Sequence, residues 1–240
     1  FEVLAALVQE IDIQRINVHV HAEPVGPVAR GLFVKLLHTQ LTAVLSPQHE
    51  EVLTHALRNR LAQGKKEILI APSWQEDNLL DSVIDGLIEA LYCDDYHVTV
   101  RPHPEYVKRY GARMQAIVDK YAHLVGDGLT FELDFTVNRS VYSADLLITD
   151  WSDISWEYAF TTLRPVMYIN TPMKVMNPEW QKIEYPPLNI SLRDQLGKSL
   201  DMDQLDKAAE TAKYLLDNTQ ILFKDYILLI SFIVVYTLLT

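Results

Sequence analysis

Ala144–Pro178 constrains the fold more than any other stretch of the chain. It opens on Leu146-Leu147-Ile148-Thr149, a short apolar run with a β-branched end. That is the pattern of a strand covered on both faces of a parallel sheet. Polar residues follow at once, Asp150-Trp151-Ser152-Asp153-Ile154-Ser155. Ser and Asp suit a helix start, and Trp156–Phe160 reads as that helix. Arg164-Pro165 stops it, and Val166–Ile169 begins the next strand. Such a unit places its first loop at the carboxyl end of a parallel strand, where open α/β sheets bind ligands. The loop offers hydroxyls and backbone N–H groups at a helix N-terminus, which suits a phosphate or diphosphate.

The same alternation runs through the sequence from Lys66. Strands are expected at Ile68–Ala71, Val98–Val100 and Leu129–Leu133, with a short one at Asn189–Ser191. Helices are expected at Leu79–Leu91, at Tyr106–Tyr121 with an interruption at Gly111, at Val137–Ser143, and at Met202–Asn218. Strands separated by helices of this length imply βαβ crossovers. Residues 65–220 therefore read as an α/β domain built on a doubly wound parallel sheet.

Ahead of it, Phe1–Glu10 has helical apolar spacing, Ile16–Val20 and Ala43–Leu45 read as strands, and Ser46 to Leu61 as a helix. This partial α/β segment, residues 1–64, ends in the polar hinge Ala62–Lys66, the expected domain boundary. Residues 221–240 form an apolar C-terminal tail whose uncharged part is Tyr226–Thr240. Fifteen residues fall short of the roughly 20 that span a bilayer. A truncated membrane helix, a buried terminal element and a tail foreign to the fold are all compatible with its pattern. The chain opens in mid-pattern on Phe1 and reads as a piece of a longer protein.

Apolar residues make up 49% of the chain, enough for a sizeable core, and the formal net charge is −11. That acidity argues against non-specific nucleic-acid binding, which needs a basic face. The single cysteine, Cys93, excludes an intrachain disulfide and fits a reducing compartment; a buried or half-buried, inert thiol is expected.

Three loops stand at expected strand carboxyl ends: Pro72-Ser73-Trp74, Arg101-Pro102-His103-Pro104, and Asp150 to Ser155. In a doubly wound sheet they share one edge and can meet on one ligand. Their chemistry fits a nucleotide diphosphate. Arg101 and His103 are cationic donors, with His103 held as imidazolium beside the dianion; Ser152 and Ser155 are hydroxyl donors. Ser73, Asp150 and Asp153 complete the binding set, and Glu157 suits ribose hydroxyls. Plainer readings stand beside these. Arg-Pro-His-Pro makes a rigid turn by itself. Asp150 and Ser152 serve equally as helix caps. Asp153 and Glu157 lack a neighbouring His or Cys, so no metal site is expected there, and His19 with His21 lacks a third ligand; a structural or single catalytic role suits His21. No Walker A, G-x-G-x-x-G, G-x-S-x-G or zinc-spaced cysteine motif occurs.

The runs IAPSW (Ile70–Trp74), VTVRPHP (Val98–Pro104), SADLLITDWSDISWEYAF (Ser143–Phe160) and RPVMYINTPMKVMNPEW (Arg164–Trp180) resemble, in this order, the CDP-glycerol:polyol glycerophosphotransferases, the teichoic-acid primases and polymerases and their relatives. The resemblance covers residues ~65–195; its His-Pro and Asp-[Tyr/Trp]-Ser motifs are specific in combination. It implies the C-terminal, Rossmann-like half of a glycosyltransferase-B fold, with residues 1–64 the end of an acceptor-side domain. It implies a transferase that passes glycerol phosphate, or a related polyol phosphate, from a CDP-activated donor to a polyol-phosphate or lipid-linked acceptor. It further implies catalytic roles for His103 and His21, no cofactor or metal, no nucleic-acid partner, and a cytoplasmic location at the inner face of the cell membrane. The upstream His-Gly motif of the family is absent from this sequence. A nucleotide-sugar glycosyltransferase or epimerase of the same fold, and a catalytically incomplete nucleotide-binding fragment, are the alternative readings.

Overall fold

Short apolar runs with β-branched residues form the strands, as their patterns require. They are β1 (Lys66–Ile70), β2 (Tyr96–Val100), β3 (Leu129–Phe131), β4 (Leu146–Thr149), β5 (Val166–Asn170) and β6 (Gly197–Asp201). The computed structural model describes residues 64–219 apart from 137, 176, 180, 181 and 183–187. The N-terminal elements, His21 and the apolar tail lie outside the described residues.

Every neighbouring pair of strands is parallel, in the order β3-β2-β1-β4-β5-β6. The chain winds outward from β1 to β3, returns to the middle at β4, and winds outward the other way. The direction reverses between β1 and β4, which opens a crevice beyond their carboxyl ends. All four residues of β4 are buried, as expected of a central parallel strand.

Helices close both faces. α1 (Leu79–Ser82) starts at Asn78, whose side chain accepts the Leu80 N–H at 2.7 Å. α2 (Ile84–Leu91) buries Ile84, Leu87, Ile88 and Leu91, one stripe at helical spacing. α3 (Pro104–Lys120) begins on Pro104, whose missing N–H costs nothing at a helix start. It leaves helical geometry at Tyr110, beside Gly111. α4 (Arg139–Ser143) leads into β4, and α5 (Ile154–Thr162) follows it. α5 ends with Leu163 in the left-handed conformation (φ 53°), two residues before Pro165. α6 (Leu188–Ser191) and α7 (Arg193–Leu196) are single turns before β6. α8 (Ala208–Asp217) packs Ala208, Ala212 and Leu215 inward. On one face of the sheet, Leu87, Leu91 and Met114 meet Ile68, Val98, Ile148 and Met167.

The structure departs from the sequence-based expectations at five places. Leu79–Leu91 is two helices, divided at Val83 (φ −136°). Asn189–Ser191 is helical rather than a strand. The sixth strand, Gly197–Asp201, follows it and was not expected, because its sequence GKSLD is polar at an edge position. The residues from Met202 first form a 3₁₀ segment, Met202–Lys207, before α8. Cys93 is exposed, not buried, because it follows α2 in the turn before β2. Among the described residues, no helix is long and apolar enough to cross a membrane.

Candidate functional site

The loops after β1, β2 and β4 meet because their strands are neighbours, and backbone bonds extend the sheet into them. Ala71 N–H donates to Ile148 O and Arg101 N–H to Ile70 O, each at 2.9 Å. The Thr149 hydroxyl donates to Ala71 O at 2.6 Å. Asp150 then ties the crevice together. Its carboxylate accepts the Ser73 N–H at 2.8 Å, the Trp151 N–H at 2.7 Å and the Leu79 N–H at 3.1 Å. The side chain is buried, and these three donors occupy it. Asp150 therefore braces the loops from beneath rather than facing a ligand.

Above this brace lies a cavity of about 390 Å³. Ser73, Arg101, His103, Ser152, Asp153 and Glu157 all line it. Asp150 and Ser155 do not line it. Ser155 is buried at the second position of α5, and its hydroxyl pairs with that of Tyr168 on β5. Ser73 is also buried, but among the described residues its hydroxyl has no hydrogen-bond partner, although the residue borders the cavity. A buried, unpaired hydroxyl costs about 1–3 kcal/mol, which a ligand oxygen at this position would remove.

The cations are arranged differently from the sequence-based expectation. Arg101 forms an ion pair with Glu132 just beyond β3, donates to Asn138 Oδ1 at 2.8 Å, and stacks over Phe135 at 5.4 Å. Its charge is matched by Glu132 within the protein. Lys174, in the loop after β5, was not singled out in the sequence, yet it lines the cavity. Its ammonium lies 5.4 Å from the centre of the Trp74 ring, and Arg109 approaches the same ring at 4.8 Å. The signal available in the sequence was position alone: a lysine just past a strand's carboxyl end.

His103 is the N-cap of α3. Its Nδ1 accepts the Glu105 N–H at 3.0 Å. A backbone N–H can only donate, so Nδ1 is unprotonated and the neutral ring carries its proton on Nε2. Burial, then the nearby Lys174 charge, hold the imidazole below its ordinary value, and Glu105 partly offsets them. The free site thus favours neutral His103, a donor through Nε2–H; the imidazolium expected from the sequence belongs to the site with a dianion bound. Burial, and then Asp153, push Glu157 above the usual carboxylate range. That carboxyl is suited to hydroxyl recognition and opposes a second close anion.

A second positioning residue escaped the sequence reading. Arg193 is buried with its guanidinium over the rings of Trp151 and Tyr168, at 4.1 and 4.3 Å. It donates to Asp150 O at 2.7 Å and Asn170 Oδ1 at 2.6 Å. Trp151 Nε1–H donates to Thr171 O at 2.8 Å. These contacts fix the start of α5 against β5. Among the described residues, no group of three or more His, Cys, Asp or Glu side chains is placed to hold a metal ion.

Comparisons with known proteins add a family to this geometry. The family model described as CDP-Glycerol:Poly(glycerophosphate) glycerophosphotransferase matches residues 44–175, more than half of the chain. No curated protein matches the sequence. Among solved structures, α,α-trehalose 6-phosphate synthase from Burkholderia multivorans is 9% identical with a TM-score of 0.51, over 79% of this chain and 42% of that one. UDP-GlcNAc 2-epimerase from Methanocaldococcus jannaschii is 13% identical with a TM-score of 0.45, over 75% and 45%. The wall teichoic acid polymerase TagF is 16% identical with a TM-score of 0.40, over 76% and 44%. The first likeness shows a shared α/β fold. The chain spans under half the length of these structures.

Proposed function

Because the chain belongs to the CDP-glycerol:poly(glycerophosphate) glycerophosphotransferase family, we propose that its cavity holds a CDP-activated donor and passes glycerol phosphate, or a related polyol phosphate, to a hydroxyl acceptor in surface-polymer synthesis. One observation carries the reading. The His103 ring, the unpaired Ser73 hydroxyl and the Ser152-bearing start of α5 border one cavity at the sheet's reversal point.

In this reading the acceptor oxygen attacks the β-phosphorus of the donor. An O–P bond forms, the bond from that phosphorus to the bridging oxygen breaks, and CMP departs with the bonding electrons. The acceptor proton passes to a base. His103, with Nδ1 already occupied, does not serve as that base while neutral. It donates Nε2–H to a phosphoryl oxygen, and in its charged form it can protonate the leaving CMP. Such transfers depend mainly on positioning and charge stabilisation. Ser73, Ser152 and the α5 N–H groups supply further donors. Asp153 and Glu157 suit the ribose or polyol hydroxyls, since neither carboxylate favours a phosphate. Asp150 and Ser155 act by holding the loop. The acceptor side, to which His21 would belong, and an attachment to the inner face of the cell membrane complete the proposal.

The test is turnover of CDP-glycerol by the complete protein. His103→Ala is expected to abolish transfer while the lost N-cap lowers the thermal unfolding temperature by only a few degrees. Equal turnover by that variant would overturn the assignment. A rise in melting temperature with UDP-sugars but not with CDP-glycerol would move the donor to the nucleotide-sugar class.

A further inference from the structure

We propose that Lys174 is the cation that binds the transferred phosphoryl group, carried to it from a resting place on the Trp74 ring. The inference rests on the donor reading above and deepens it.

Three observations place Lys174 in this role. It lines the cavity that His103 and Ser73 share. Among the described residues it forms no ion pair or hydrogen bond, whereas the other cations near the crevice are matched: Arg101 by Glu132, Arg109 by Glu105 and Arg113 by Asp81. Its ammonium instead sits over the face of Trp74, whose loop borders the same cavity. A cation–π contact holds a charge weakly and without a fixed donor geometry, so it yields to a phosphate oxygen. Four methylenes and free rotation give the lysine the reach to exchange one for the other.

The neighbouring charges agree. Lys174 is close enough to His103 to disfavour its protonation. Both therefore face one volume, and one anionic group can satisfy both. The unpaired Ser73 hydroxyl in the same wall supplies an independent polar contact. An anion there relieves the repulsion between lysine and imidazole, so donor binding and His103 protonation favour each other.

The experiment uses the complete protein with Lys174→Met and Lys174→Arg, and titrates cytidine, CMP and CDP-glycerol by calorimetry. Lys174→Met is expected to weaken CDP-glycerol binding roughly ten- to a hundredfold, the range for losing a charge-assisted hydrogen bond. CMP is expected to lose less and cytidine nothing, with partial recovery in Lys174→Arg. NMR titration of the His103 ring is expected to shift upward in Lys174→Met. Unchanged CDP-glycerol affinity overturns the proposal. So does an equal loss for cytidine, which reports damage to the fold rather than a lost phosphate contact. If another nucleoside diphosphate ester replaces CDP-glycerol as the tighter ligand, with the same dependence on Lys174, the lysine assignment stands and the CDP-donor reading falls.

Discussion

Asp150 gives the most quantitative prediction. Replacing it with Asn keeps the shape and removes the charge. The amide oxygen can still accept from Ser73 and Trp151, but its NH₂ then faces the Leu79 N–H, donor against donor. One charge-assisted bond worth about 1.5–3 kcal/mol is lost and a buried N–H is left unpaired at about 1–3 kcal/mol. The sum, after some relaxation, is about 3 kcal/mol. Asp150→Ala strands all three N–H groups, two of them in buried bonds, and is expected to cost about 4–6 kcal/mol, less wherever water enters. Urea unfolding checks both. With a slope of roughly 2 kcal/mol/M, Asp150→Asn lowers the midpoint by about 1.5 M. A change below about 0.5 kcal/mol in Asp150→Asn would refute the brace and return Asp150 to the ligand-facing set.

Gly197→Ala places a Cβ 1.6 Å from the Val166 carbonyl oxygen on the neighbouring strand, so β6 has to separate from β5; a loss of about 3 kcal/mol or more by urea unfolding is expected. Arg193→Lys loses the stacked, forked geometry between Trp151 and Tyr168; a loss of about 2 kcal/mol and weaker donor binding are expected, read by unfolding and calorimetry. His103 binds its proton less readily folded than unfolded, so its contribution to stability is complete above about pH 6.5 and falls away as the pH drops toward its lower folded value. His103→Asn keeps an N-cap acceptor and is expected to flatten that part of the stability–pH profile; an unchanged slope between pH 5 and 7 would contradict it.

Much of the sheet was legible because burial on both faces forces apolar runs, as in Leu146–Thr149 and Val166–Ile169. β6 was not, because this edge strand is polar at Lys198, Ser199 and Asp201 and buries only Gly197 and Leu200. The three site loops were legible from polar residues placed after strands. The roles within them were not, since partners distant in sequence decide those roles. Arg101 reads as a ligand cation until Glu132, 31 residues on, accepts its charge. Asp150 reads as a local cap until the donors from Ser73 and Leu79, 77 and 71 residues away, occupy it. Lys174 has no local motif, and only the adjacency of β5 to β4 brings its loop toward His103.

The most direct measurement is amide and histidine-ring chemical-shift mapping of the complete protein on addition of CDP-glycerol. Saturable changes centred on Ser73, Trp74, His103, Ser152–Ile154 and Lys174 are the predicted result. Changes confined to the opposite end of the strands, around Lys66, Gly128 and Gly197, or none at millimolar donor, would contradict it.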